Sequence, residues 1–145
     1  MLRILPHTLP ATISQMYRLM QQHIPDVQKM RWRSVYDVYQ AVQNLPYRSD
    51  ATAPECGGAV ECVKRPAYTL VLGGDCDDKA ILAGAGLLSL GVPVRIVTAS
   101  YRPDGEMQHT YLEVFFQGQW LPFDATYPTG QIFTEAPYTN KEVWA

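Results

Sequence analysis

Apolar residues in the first third of the chain recur at the spacing of one helix face. They predict a helix from Thr12 to His23, with Thr12 as its N-cap, and a second, longer helix from Asp26 to Leu45. Pro25 separates the two helices. The basic residues of the second helix alternate with apolar positions, which favours a solvated face over a phosphate-binding patch. These residues are Lys29, Arg31 and Arg33.

A third helix is predicted from Asp75 to Leu90, because Gly91 and Pro93 stand where a helix commonly ends. Its interior is rich in alanine and glycine, and each glycine costs up to about 1 kcal/mol of helix propensity. We therefore expect another element to pack very close to its backbone, and a sheet would fit. The small residues are Ala80, Ala83, Gly84, Ala85 and Gly86.

The second half of the chain alternates in the manner of strands. It predicts an antiparallel sheet of three strands, which are Val92–Ser100, Met107–Phe116 and Gln119–Asp124. Gln117 and Gly118 form the tight turn of a hairpin, and Pro122 marks the last strand as an edge strand or a bulged one. Helices followed by such a meander predict an α+β fold in which the third helix packs across the sheet.

A chain of 145 residues suits one domain with one core. We expect a helical N-terminal part over 1–46, a core over 47–127 and a surface tail over 128–145. Residues 47–68 are rich in turn formers and predict a long irregular loop that walls a cleft, followed by a short extended segment over 69–72.

Charge and composition exclude several classes of protein. The net charge of −2 and pI near 5.9 give no electrostatic footprint for nucleic acid. The start of the chain does not resemble a signal peptide, and the longest apolar run, Ala80–Leu88, is too short to span a bilayer. The expected protein is cytoplasmic, with no nucleic-acid or membrane partner.

Three cysteines argue against a fully paired disulfide framework. Cys56 and Cys62 could pair across a small loop, but two free thiols fit a reducing compartment better. A zinc site is weaker still, because the spacing of Cys56 and Cys62 is not that of a metal-binding pair.

Cys76 is the candidate nucleophile, because it stands at the start of the third helix. Unpaired N–H groups and the helix dipole favour a thiolate at this position, so its pKa is expected to fall. The neighbouring carboxylates Asp75, Asp77 and Asp78 fit capping of the helix better than a Ca²⁺ site. In a regular first turn, adjacent Asp77 and Asp78 point about 100° apart and cannot both face one ion.

His109 and Asp124 supply the remaining parts of a nucleophilic site. If Gln117 and Gly118 are the two loop residues of the hairpin, His109 and Asp124 lie on one face, displaced diagonally by two residues. A carboxylate at that distance can orient the imidazole that accepts a proton from the cysteine. The other readings are an ordinary strand histidine and a turn aspartate.

Four blocks in order resemble the transglutaminase-like superfamily. They are Gly-Asp-Cys-Asp-Asp-Lys-Ala, Gly-Val-Pro-Val-Arg-Ile-Val, His-Thr-Tyr-Leu-Glu-Val and Gly-Gln-Trp-Leu-Pro-Phe-Asp-Ala-Thr. The resemblance implies a papain-like fold with a catalytic triad of Cys76, His109 and Asp124. It also implies an oxyanion hole made by the backbone N–H of Cys76 and an upstream donor. Tyr47 is the candidate for that donor, with a core tyrosine as the alternative.

The resemblance extends to function and partners. The cysteine flanked by acids is similar to that of bacterial calcium-dependent transglutaminase-like proteinases, so Asp75, Asp77 and Asp78 are candidate Ca²⁺ ligands, although no cofactor is the main expectation. The N-terminal helix pair and residues 45–50 and 66–70 resemble small phage and prophage members. Phage structural proteins, and association with a virion, therefore stand beside the cytoplasmic expectation.

Thiol-dependent acyl transfer on a peptide or protein is the predicted activity. Hydrolysis by a cysteine peptidase or amidohydrolase is the first expectation. Protein-glutamine transglutamination is the nearest alternative, and it differs only in whether water or an amine resolves the acyl-enzyme. A non-catalytic phage assembly protein that retains the fold is an alternative of a different class.

Overall fold

The computed structural model describes residues 2–4, 9–49, 62–105 and 107–145. The helices are α1 (Leu9–Gln22), α2 (Pro25–Gln28), α3 (Val35–Gln43), α4 (Pro66–Leu72) and α5 (Cys76–Ser89). The strands are β1 (Leu2–Ile4), β2 (Cys62–Lys64), β3 (Val94–Ser100), β4 (His109–Phe116), β5 (Gln119–Phe123) and β6 (Asn140–Trp144). Among these residues no helix combines the length and the apolar character that a membrane span requires.

The main sheet is antiparallel, with the strand order β5-β4-β3-β6. Its inner face carries Ile96, Leu112, Val114 and Phe123, which join the helices in one apolar core. Helix α5 packs on β3 and β4. The α+β architecture predicted from the sequence is thus confirmed, and Pro122 does lie in an edge strand.

Helix α5 is the centre of the molecule, and every residue from Asp78 to Leu87 is buried. It ends as predicted: Gly91 has φ of +77°, and the Val92 N–H donates to the Leu87 carbonyl. The close approach at its glycines comes from helix α1 and from the connection between α2 and α3 rather than from the sheet. A Cβ on Gly84 would lie 2.4 Å from the Met20 sulfur, and one on Gly86 would lie 2.8 Å from the Trp32 ring.

The predicted second helix is wrong in its continuity, because the chain breaks between α2 and α3. Arg31 adopts φ of +56°, and Ser34 is extended and accepts a hydrogen bond from the Asp37 N–H at 3.2 Å. This pair is an N-cap with an acid in the first turn, which starts α3 afresh. The basic residues of this stretch are exposed, as predicted for a solvated face.

Two expectations for the rest of the chain are wrong. Residues 66–72 form helix α4, where the sequence predicted the end of the irregular loop and an extended segment over 69–72, and Pro66 stands at the position where a helix tolerates proline. Its N-cap residue Arg65 forms a bidentate pair with Asp26, at 2.7 and 3.0 Å. The predicted surface tail over 128–145 contributes strand β6, which pairs with β3 from Ile96 to Ser100.

Cys56 lies outside the described residues, and only the backbone of Cys62 is described, within β2. Cys76 is a free, half-buried cysteine.

Candidate active site

Cys76 is the first residue of α5. Asp75 precedes it as the N-cap and accepts a hydrogen bond from the Asp78 N–H at 3.2 Å, while the Asp75 N–H donates to the Asp78 carboxylate at 3.3 Å. This capping box confirms the capping interpretation for Asp75. It fixes the first turn of the helix, and with it the place of the sulfur.

The pKa expected for the thiol is wrong in direction. Burial raises the pKa of Cys76 well above that of a free thiol, and the charges of Asp77 and Asp75 raise it further. The Thr110 N–H points at the sulfur and opposes the rise. Desolvation and like charge therefore outweigh the helix dipole at this position. The contact with Thr110 also places the sulfur against the first residues of β4.

His109 and Asp124 meet as the hairpin register predicts. Phe116 pairs with Gln119, so the loop consists of Gln117 and Gly118. His109 Nε2 and Asp124 Oδ2 are 2.7 Å apart. Burial opposes ionisation of Asp124, but the bond and charge of His109 and the bonds donated by Thr126 outweigh it, so the pKa of Asp124 is lowered. The carboxylate is thus anionic and already oriented towards the imidazole.

A column of aromatic rings holds the imidazole of His109. The ring of Tyr127 stacks with the imidazole at 5.6 Å between centroids and that of Tyr111 at 5.5 Å, with interplanar angles of 22° and 25°. Tyr47 stacks on Tyr127 at 6.0 Å and extends the column. These ring contacts restrict the imidazole to one orientation.

Tyr47 lies close to the site, beside the start of α5. It is exposed to 48%, so the alternative of a core tyrosine is wrong. Its backbone forms a bridge with Gly74, two residues before the cysteine. The Arg48 N–H donates to the Gly74 carbonyl, and the Gly74 N–H donates to the Pro46 carbonyl. These bonds fix Tyr47 beside the start of α5.

Two buried lysines flank the first turn of α5. Lys64 Nζ lies 3.1 Å from the Asp78 carboxylate, and the Lys64 N–H donates to the same group at 2.9 Å. Lys79 instead donates to two backbone carbonyls. The cap and the pair with Lys64 thus engage Asp75 and Asp78, two of the three candidate calcium ligands, whereas Asp77 Oδ1 lies 3.8 Å from the Cys76 sulfur. Within the described ranges, no three His, Cys, Asp or Glu side chains form a metal-binding group.

A cleft of about 770 Å³ opens beside Asp124. Its wall comes largely from the segment between β5 and β6, which the sequence suggested was a surface tail. Glu135 of this segment bonds to Tyr111 and to Lys141, so the segment crosses the outer face of the sheet. The lining residues are Tyr101, Asp124, Tyr127, Thr129, Gly130, Gln131, Thr134, Glu135, Ala136 and Pro137.

Sequence reasoning missed the rings around the imidazole and the buried lysine. Tyr111 follows His109 by two residues, so strand alternation alone could have placed it on the same face. Tyr127 and Tyr101 are brought in by loops, for which no periodicity exists. Lys79 follows the cysteine by three residues, and the helical repeat could have placed it near the same end.

The site combines a free cysteine at the start of a central helix, a histidine at the start of β4 and an aspartate that directly follows β5. This is the arrangement of papain-like thiol enzymes. The family model of the transglutaminase-like superfamily matches residues 20–125. The chain belongs to this superfamily. At the level of the family, this membership supports a thiol-dependent activity.

The other comparisons are less informative. A solved structure from Cytophaga hutchinsonii, described as a candidate cysteine protease, matches with 21% identity and a TM-score of 0.48. The match covers 91% of this chain and 51% of that one, so the chain spans about half the length of that protein. None of the curated proteins compared with the chain matches it significantly.

Proposed function

We propose that the protein catalyses thiol-dependent hydrolysis of an amide or peptide bond, as a cysteine peptidase or amidohydrolase. The observation that carries the proposal is the 2.7 Å contact between His109 and Asp124. His109 is the first residue of β4, and the sulfur of Cys76 lies against the same end of this strand, at Thr110. A nucleophile, a base and a group that orients the base are thus supplied by α5, by β4 and by the residue that follows β5.

The reaction follows from these positions. His109 binds Asp124 through Nε2, which leaves Nδ1 as the nitrogen that takes the proton of the Cys76 thiol. The sulfur then forms a bond to the carbonyl carbon, and the C–N bond breaks as the imidazolium returns its proton to the leaving amine. Water attacks the resulting thioester with His109 again as the base, which releases the acid and restores the thiol.

The acidic surroundings of the sulfur shape this mechanism. The raised pKa of Cys76 favours a protonated thiol in the resting protein, since burial and two carboxylates disfavour the thiolate. Proton transfer to His109 therefore accompanies the attack instead of preceding it. Asp124 stabilises the imidazolium that this transfer creates.

The oxyanion of the tetrahedral intermediate needs at least one donor at the start of α5. The backbone N–H of Cys76 belongs to the first turn, where N–H groups have no partner within the helix. Tyr47 is the second candidate donor, because its backbone lies beside Gly74 and its ring stands on Tyr127.

One observation favours transglutamination as a second candidate. Among the described residues that line the cleft, both charged ones, Asp124 and Glu135, are acidic, and two tyrosine rings accompany them. This lining suits a primary amine, which is cationic until it reacts. An amine bound there would resolve the thioester in place of water.

Mass spectrometry of a peptide library incubated with the wild type and with Cys76→Ala tests the proposal. Fragments that appear only with the wild type are expected. The same incubation with a primary amine separates the two reactions, because transglutamination adds the amine to the peptide. If neither product depends on Cys76, the proposed enzymatic function is wrong, and the non-catalytic assembly role becomes the preferred hypothesis.

A further inference from the structure

Lys79 is buried in the interior of the molecule, with 2% of its surface exposed. Its Nζ donates to the Thr126 carbonyl at 2.9 Å and to the Leu45 carbonyl at 2.8 Å. The two acceptors are far apart in sequence from α5 and from each other. A single ammonium group thus joins three segments of the chain.

Each of these segments bears a residue of the site. Lys79 is one turn from Cys76, and long side chains of a helix point back towards its N-terminus, so the ammonium group reaches the end where the sulfur lies. Thr126 stands between Asp124 and Tyr127, and its N–H and hydroxyl both donate to the Asp124 carboxylate. Leu45 precedes Tyr47 by two residues.

The partners of Lys79 differ from those of the other buried lysine. Lys64 is neutralised by the Asp78 carboxylate, whereas the two acceptors of Lys79 are uncharged carbonyls. Burial lowers the pKa of Lys79, and the charge of Asp124 opposes that fall. An ammonium group is costly to bury without an opposite charge nearby. The carboxylate of Asp124 is such a charge, so Lys79 interacts with the site as well as with the core.

We propose that Lys79 is a positioning residue: its ammonium group holds the Thr126 and Leu45 carbonyls and thereby sets Asp124, and through Asp124 the imidazole of His109, against Cys76. This inference rests on the proposed function. It assigns Lys79 no contact with the substrate.

A double-mutant cycle with His109→Ala tests the role of Lys79. The rate of alkylation of Cys76 by iodoacetamide is measured by mass spectrometry of the peptide that contains it. Lys79→Met should lower this rate roughly 10- to 100-fold when His109 is present, since misplacement of a catalytic group by about 1 Å has effects of that size. In the His109→Ala background it should change the rate less than about twofold.

Two further variants separate positioning from loss of structure. Lys79→Gln keeps N–H donors without the charge and should recover part of the rate that Lys79→Met loses. Leu87→Ala removes a buried side chain at the far end of α5 and should destabilise the fold while leaving alkylation unchanged. An equal fall in both backgrounds, no fall, or no difference between Gln and Met would contradict the inference. No difference between the wild type and His109→Ala would instead contradict the proposed function.

Discussion

The two faces of the main sheet differ in composition, although the outer face also holds a small apolar cluster of Val97, Ala99 and Tyr111. The inner face is closed and apolar: Ile96, Leu112, Val114 and Phe123 are each exposed by no more than 1%. The outer face carries His109 and Tyr111 at one end of β4 and a run of charges further along. Because successive strand residues point to opposite sides, one strand can serve the core and the chemistry with alternate residues.

The charges of the outer face are paired in series. Glu113 lies 2.7 Å from Arg95 and 3.0 Å from Lys141, and Lys141 lies 3.2 Å from Glu135. Burial opposes ionisation of Glu113, but its bonds to Lys141 and Arg95 outweigh it and lower its pKa. Through Glu135 the series reaches the hydroxyl of Tyr111, whose ring supports His109. The outer face therefore orders polar groups, whereas the inner face excludes water.

The largest expected effect is on the outer face. His109→Ala should lower the rate of peptide cleavage roughly 10²- to 10⁴-fold, because it removes the proposed general base. Phe115→Ala is the matched control, since Phe115 lies on the same face of β4, at its far end, and is 42% exposed. Steady-state assays of both variants check the prediction. A similar loss with both would mean that the face, and not the histidine, is responsible.

Substitutions on the inner face should lower the free energy of unfolding rather than the reaction rate. Leu112→Ala should lower the free energy of unfolding by about 2–5 kcal/mol, because it leaves a cavity in the core. Denaturant unfolding measures this change, and the rate per folded molecule should remain near that of the wild type. If Leu112→Ala instead lowered the rate per folded molecule, the inner face would also contribute to the reaction, and the contrast between the two faces would be wrong.

A smaller effect concerns pH. The raised pKa of Cys76 means that the folded protein keeps a proton that the unfolded chain loses above about pH 8.5. The stability contributed by the thiol is therefore present below that pH and declines above it, by at most about 1.4 kcal/mol per pH unit. Unfolding of the wild type and Cys76→Ser under reducing conditions, between pH 8 and 9.5, should show this decline only in the wild type.

The smallest expected effect is that of calcium removal. Asp75 caps α5 and Asp78 pairs with Lys64, so chelation by EGTA should leave the melting temperature and the alkylation of Cys76 unchanged. A lower melting temperature that added Ca²⁺ restores would show that the acidic residues at this helix start bind a metal.

The sequence carried enough to predict the parts of the site that depend on local rules. The turn of Gln117 and Gly118 sets a register, and that register alone brings His109 to Asp124. The contact between His109 and Asp124 could therefore be predicted from the sequence alone. The end of α5 could likewise be predicted from one residue, Gly91, because glycine readily adopts a positive φ.

Features that depend on distant partners could not be predicted. Strand β6 has no clear alternation, and its pairing with β3 is stabilised by contacts such as the Trp144 indole bond to Thr98. The direction of the Cys76 pKa shift depends mainly on burial of the thiol. Burial is set by distant parts of the chain, so an argument from the helix dipole alone could not predict it. The two carbonyls that accept from Lys79 come from segments 34 and 47 residues away.

The segment that walls the cleft is attached at both ends to strands of the same sheet. Residues 129–137 form most of this wall, while the proposed nucleophile and base belong to α5 and β4. Under the proposed function, most residues that line the cleft and the residues that react would therefore come from different stretches of the chain. Exchange of this segment for one of another length or sequence would reshape the cleft without altering the hairpin register, which makes it a natural site for diversification and for protein engineering.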